Sequence, residues 1–421
     1  MIKNILTQIW NQRRTNSWLF AELIIVFVLL WFCVDVLFGL FSARIHPKGY
    51  DQEHVYKVTV NCRDDQFIKM QDADSISRFW WHPLSEVIKN FKQYPGVESV
   101  CTSFGTDAYS NKTMFQGYHI DGDTTNIFTA NIRYVDAEYI KTFRIPMLHS
   151  IHKNLKDQDW NAINNVNPAI VSAELADSLW GTTNVLGKKF SDYYSPDLHY
   201  KVIAVSAPQK NSDYNRYEPY IMTPYPEYIY KSQAIPSIYI RVKADADNNE
   251  FANSFIKTMS AKIHIAPFYI FDIQSMKYCK QLDDARQGVT QEVNNTILMM
   301  SFFVFNVFLG LLGTFWFRTN SRRGEIAIRM AMGCSRKQIA AHFLTEGILL
   351  LAIAFLPAAI IAFNIWNADL TVTMHADATL LRLIMTLIIT FILMAFITLI
   401  GIWIPSSKAM HILPAEALHE E

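Results

Sequence analysis

FRTNSRRGEIAIRMAMGCSRKQIAAHFLTE, residues 317–346, is a basic stretch set between two long apolar segments. It carries Arg318, Arg322, Arg323, Arg329, Arg336 and Lys337 against one acid before Glu346, namely Glu325. A short loop rich in Arg and Lys between two membrane spans lies on the cytoplasmic side, so this charge orients the rest of the chain. From Arg322 to Met332 the residues are good helix formers, with Ile326 and Met330 four apart as an apolar edge. Gly333 predicts the stop, because a residue without Cβ suits the left-handed turn after a helix. Ser335-Arg336-Lys337-Gln338 has the S-x-x-Q spacing of a capping box and runs straight into apolar sequence. The stretch therefore reads as a short amphipathic helix, a tight turn and a helix that continues into the membrane. Judged by charge alone, it reads rather as an ordinary loop that sets topology.

Working outward, four segments are apolar enough to span about 30 Å of hydrocarbon, for which about 20 helical residues suffice. They are Trp18–Phe41, Val293–Phe317, Ile339–Trp366 and Leu383–Ile404. Glu22 and Asp35 lie inside the first, each near an end where an acid reaches the headgroups. A cleaved signal peptide with Leu23–Val34 as its apolar core is the alternative for that segment. Pro357 interrupts the third in mid-helix. Glu346 lies two turns in from the third segment's cytoplasmic end.

Residues 43–292 carry 27 basic and 29 acidic groups, whereas 1–17, 318–342 and 405–421 together carry ten and four. That asymmetry places the termini and the 318–338 loop in the cytoplasm. The 421-residue chain has no net charge, which argues against nucleic acid as a partner. In the large block outside, His54–Asn61 alternates as a half-buried strand. Pro83–Tyr94, Val171–Leu179 and Phe251–Ile263 have helical spacing, and Tyr200–Val205 and Ser237–Val242 suit strands. The block is α+β. Its polar end, residues 275–292, reads either as a stalk helix or as a linker.

The predicted organisation is an α-helical membrane protein with four transmembrane helices and a large α+β extracytoplasmic domain inserted between the first two. Its parts are a cytoplasmic N-terminus (1–17), first span (18–41), external domain (42–292), second span (293–317), cytoplasmic loop (318–338), third span (339–366), outer loop (367–382), fourth span (383–404) and cytoplasmic tail (405–421).

The segment from Arg323 to Ser335 resembles the R-x-E-I-x-I-x-R-A-x-G-A-S signature of MacB/FtsX-type ABC transporter permeases, with Met332 and Cys334 at variable or small-residue positions. Tyr134–Leu148 is similar to the family's V-D-x-x-Y-F-x-x-F-x-I-P-L-L stretch, although His149-Ser150 replaces the Gly-Arg that usually follows. Ala169–Leu179, with Trp180-Gly181 and Leu186-Gly187-Lys188, and then Val202–Val205, resemble two further stretches. Pro405–Leu418 looks like the family's P-A-x-x-A-x-x-x-x-P-x-E-A-L ending. The resemblance implies an external MacB-like core domain of two α+β subdomains, Porter and Sabre, and a coupling helix that docks on a separate ABC ATPase. It assigns ATPase coupling to Arg323, Glu325, Ile326, Arg329, Met330, Gly333, Ser335, Arg336 and Glu346. It implies a dimer, with an identical or a related permease, in the cell inner membrane among its lipids, and further envelope components as partners. The expected work is efflux or export of a peptide, antibiotic or lipoprotein. The alternative is a non-transporting regulator of an external partner such as a cell-wall hydrolase.

Signals for chemistry are weak. Gly181–Lys189 is the nearest string to a Walker A motif, but it has one residue too many between glycines and lacks the Ser/Thr after Lys. The chain is therefore read as no enzyme and as carrying no cofactor. His149 and His152 lack a ligand framework for a metal. Cys62, Cys101 and Cys279 lie outside, where one disulfide is allowed and none demanded. Trp80-Trp81-His82 and the tyrosines from Tyr214 to Tyr230 read either as core or as a ligand surface.

Overall fold

The computed structural model describes residue 7 and residues 13–63, 72–110, 112–123, 125–152, 157–160, 166–195, 197–263 and 268–409; the side chains of 13–16, 323, 325, 327, 331, 408 and 409 fall outside that description. The chain forms two compact units, one from residues 1–43 and 289–421, the other from 44–288. Most of the C-terminal motif, from Met410 on, lies outside the described residues.

The first unit holds four helices long and apolar enough to cross a membrane. They are α1 (Arg13–Ile45), α6 (Val289–Ser321), α8 (Arg336–Asn367) and α9 (Leu380–Ala409). Each extends past the hydropathy limits read from sequence, because backbone hydrogen bonding continues into polar residues where hydrophobicity has stopped. Pro357 sits within α8 and Pro405 within α9, so the fourth helix runs past the end of the predicted span. Leu23, Phe27, Trp31, Leu311, Phe315, Phe343, Leu351, Met394 and Ile402 share one buried core. Small residues bring backbones close: a Cβ on Gly347 would lie 2.0 Å from Ile402 Cδ1.

In the second unit β1 (Val55–Cys62) lies between β10 (Ser237–Val242) and β11 (Phe268–Ser275), antiparallel to both. Its alternation works as expected, since Tyr56, Val58 and Val60 enter one core and Val55 another. On the first core lie α2 (His82–Lys92), which buries Leu84, Val87 and Phe91, and α4 (Phe251–Lys262), which buries Phe251, Phe255 and Met259. Strand β2 (Val97–Gly105) joins β10 to β4 (Phe128–Val135). From there pairings run through β3 (Phe115–Ile120), β7 (Lys189–Asp192), β8 (His199–Ser206), β6 (Val166–Ser172) and β9 (Tyr220–Thr223). A parallel β4–β9 pairing then closes a six-stranded ring. A short strand, β5 (Met147–Ser150), pairs with β8 at its side. One continuous sheet thus links two α+β parts, each with its own core.

Helix α3 (Ala173–Trp180) covers the ring, capped by Ser172 Oγ accepting from Leu175 N and ended by Gly181 at φ +65°. Val171 belongs to β6 rather than to that helix, because its β-branched side chain is buried in the sheet. Trp80 and Trp81 donate to the carbonyls of Ala234 and Ser232, and Trp81 stacks edge-on against Tyr230. These aromatics hold a loop to the domain. The segment 275–292 is two helices, α5 (Met276–Arg286) and the start of α6, parted at Gly288 with φ +68°.

Asp136, directly after β4, accepts from Thr102 N at 2.7 Å and Thr102 Oγ1 at 2.8 Å. Burial nonetheless outweighs these bonds and pushes its carboxyl up to about 6. An acid whose pKa is raised by folding contributes stability below its unfolded value, near 4, and loses it as pH rises through about 6. A shift of roughly two units is worth on the order of 3 kcal/mol. Urea unfolding of the external domain in the full-length chain is therefore expected to show Asp136→Asn gaining about that amount on the native chain between pH 4 and pH 7. A constant difference across that range would contradict the assignment.

Candidate functional site

The basic stretch folds as its local chemistry dictates. Helix α6 ends at Ser321, Arg322 breaks the geometry at φ −108°, and α7 (Arg323–Ala331) follows. Met332 closes α7, Gly333 takes φ +93°, and Cys334 N donates back to Arg329 O at 3.0 Å, the bond that seals a Schellman turn. Ser335 then caps α8. Its Oγ accepts from Gln338 N at 3.3 Å while Gln338 Oε1 accepts from Ser335 N at 2.8 Å, so both halves of the capping box are made.

Three attachments hold this elbow to the membrane helices. Ile326 is 3% exposed and joins the core shared by all four spans, with Met330 packed beside it. Met330 stands where the signature has arginine, and an apolar side chain suits that contact. Glu346 of α8 is fully buried and takes Arg318 Nη1 of α6 on Oε1 at 2.8 Å. Its Oε2 lies 3.5 Å from Arg322 Nη1 and makes no hydrogen bond among the described residues. One carboxylate therefore gathers both arginines that lead into α7. The capping box is the third attachment.

With Ile326 and Met330 turned inward, a second apolar pair at helical spacing is left outside: Ile328 is 51% exposed and Met332 75%. Arg336, Lys337 and Ser335 are exposed as well, and Arg329 is half-buried. Of the residues assigned to coupling, the backbones of Arg323 and Glu325 lie in α7, and their side chains fall outside the description. Arg318, Arg322, Ile328 and Met332 were not assigned to coupling from sequence. The i, i+4 spacing of Ile328 and Met332 was readable there.

A second buried ion pair lies at the other ends of the spans. Arg382 of α9 clamps Asp35 of α1 with Nε to Oδ1 at 2.8 Å and Nη2 to Oδ2 at 2.6 Å. It also donates to the carbonyls of Val372 and Ala376 in the outer loop. Asp35 is 2% exposed, so it does not reach the headgroups as expected; a partner 347 residues away satisfies it instead. Glu22 packs its carboxylate against Gly310 of α6.

Sites for chemistry are sparse. Among the described residues no group of three His, Cys, Asp or Glu is placed to hold a metal. His149 contacts Thr183 and His152 pairs with Asp159. Cys33, Cys101, Cys279 and Cys334 are free thiols.

Comparison with known proteins finds two family models along the chain: the MacB-like periplasmic core domain over residues 47–257 and the FtsX-like permease C-terminal domain over 297–414. Macrolide export ATP-binding/permease protein MacB from two strains of Campylobacter jejuni is 24% identical over 190 residues, covering 44% of this chain and 28% of that protein. The match thus spans little more than a quarter of the length of these relatives. The periplasmic region of MacB from Actinobacillus actinomycetemcomitans aligns at 13% identity with TM-score 0.36, over 57% of this chain and 97% of that one. The extracellular domain of the ABC-type transporter YknZ from Gram-positive bacteria aligns at 13% identity with TM-score 0.33, over 52% and 100%.

Proposed function

The chain belongs to the MacB/FtsX-type ABC permeases, and from that premise we infer that it is a membrane subunit driven by a separate ABC ATPase. The observation that carries this reading is α7, which is rooted in the membrane core through Ile326 yet presents Ile328 and Met332 outward beside Arg336 and Lys337. Two exposed apolar side chains with a basic rim suit insertion into a groove on a partner protein better than contact with water. ATP-driven closure of an ATPase dimer would displace α7. The Glu346 ion cluster would pass that displacement to α6 and α8 together. The external domain, covalently joined to α1 and α6, would do the work, expelling a peptide, antibiotic or lipoprotein. This reading places the chain in the inner membrane as a dimer, with both termini and α7 cytoplasmic.

Photocrosslinking tests the docking surface. A photoreactive amino acid at position 332 of the full-length chain in its own membranes is expected to trap an ATPase bearing Walker motifs. Adducts with lipid alone would overturn the reading.

A further inference from the structure

The external unit contains a buried polar assembly that the coupling site leaves unexplained. Loop 207–217, between β8 and β9, places Asp213 at its centre, 5% exposed. Four groups meet that carboxylate or its loop. Lys48, three residues beyond α1, reaches Asp213 Oδ1 at 3.0 Å. Lys280 of α5, the helix that leads to α6 through Gly288, donates to Oδ2. Tyr109 donates its hydroxyl to Oδ1 at 2.5 Å and its backbone N–H to Asn211 O at 2.8 Å. From beneath, Arg133 of β4 donates to Gln209 at 3.1 Å and Asn211 at 3.2 Å while lying over the rings of Tyr139 and Tyr220.

The segment after α1 is tied to the same loop by backbone as well. Lys210 N donates to Lys48 O at 3.1 Å and Tyr217 hydroxyl to Pro47 O at 2.8 Å. Gly49, at φ +80°, lets the chain pass so closely that a Cβ there would sit 1.9 Å from Pro208 O. Burial alone would raise the Asp213 carboxyl, but hydrogen bonds from Lys280 and Tyr109 and the charge of Lys48 hold it below the usual carboxylate range. The anion thus persists wherever both lysines are charged. Both stretches through which the external domain is joined to membrane helices therefore converge on one carboxylate, whose loop is held through Gln209 and Asn211 by Arg133 of the six-stranded ring.

We propose that Asp213 is the input joint of the external domain, a positioning residue that clasps both membrane-linked segments to loop 207–217 and passes their displacement to the ring. This rests on the ATP-driven reading above. A surface ion pair would be worth little, but here two cations share a nearly buried anion, and neutralising it removes the carboxylate with which Lys48 and Lys280 both pair.

Hydrogen exchange on the full-length chain with its ATPase, with and without ATP plus vanadate, tests the proposal. In the native chain nucleotide is expected to alter exchange in residues 46–51, in α5 and in the ring strands β3 and β7. In Asp213→Asn the first two responses are expected to persist while the ring response falls at least threefold. Tyr109→Phe, which keeps both lysine pairs, is expected to leave the ring response intact and so separates coupling from packing. Should Asp213→Asn fail to fold, Lys280→Gln removes one arm and is expected to weaken the ring response about twofold. An undiminished ring response in Asp213→Asn, or in Lys280→Gln where that stands in for it, overturns the proposal alone. The absence of any nucleotide response in the native chain overturns the functional reading as well.

Discussion

Ile328→Asp combined with Met332→Asp is expected to abolish ATP-driven function while leaving a folded, inserted chain. Both side chains are more than half exposed, 51% and 75%, so their removal opens no cavity in the membrane core. A carboxylate on this apolar pair would be desolvated on docking with no partner supplied, a penalty of several kcal/mol that a transient interface does not withstand. ATPase stimulation by the chain is the readout. The expected result is loss of at least tenfold, with unchanged membrane extraction and thermal unfolding. Ile326→Asp is expected to behave differently, because Ile326 is 3% exposed and packs with Phe343 and Phe315 in one core. That variant should lose the fold along with the function, which makes it unsuitable for testing docking.

Glu346→Ala carries the second large effect. Removing that carboxylate takes away the acid that Arg318, 5% exposed, and Arg322 both approach. Breaking a buried pair from one side typically costs about 3–5 kcal/mol. Thermal unfolding in detergent is expected to show that loss, with Glu346→Gln less damaged because its amide oxygen still accepts from Arg318. Replacing both partners, Glu346→Leu with Arg318→Met, is expected to restore much of the stability. Coupling should remain impaired, since α7 would then lack its ionic tie to α8. Recovery of full coupling in the double variant would show that the ion cluster serves folding only.

What could be read in advance divides along the range of the interactions. Gly333 and the Ser335–Gln338 box act across a few residues, so their residue types were sufficient to foretell the turn and the helix start. The four spans depend on summed hydropathy, which is visible in any window of about 20 residues. The Asp35–Arg382 clamp joins residues 347 apart, and the Glu346–Arg318 pair residues 28 apart. Nothing local announces either. Asp35 looked like a headgroup-seeking acid because its partner lies in the last helix. Periodicity found the Ile326/Met330 edge of α7, yet Ile328 and Met332 form another at the same spacing, and only tertiary packing decides which faces inward. Closure of the ring through β4 and β9 depends on a parallel pairing between distant strands. The Asp213 clasp sits on a loop without periodicity, and the four groups that meet that loop come from four other parts of the sequence.

The central claim is that a separate ATPase drives this chain through α7. Purification of the full-length native chain in mild detergent from its own membranes, followed by identification of what accompanies it, tests that claim most directly. An ABC ATPase in stoichiometric amount, absent when Ile328→Asp and Met332→Asp are introduced, is the predicted result. A native, folded chain that emerges with no nucleotide-binding protein at all would contradict it.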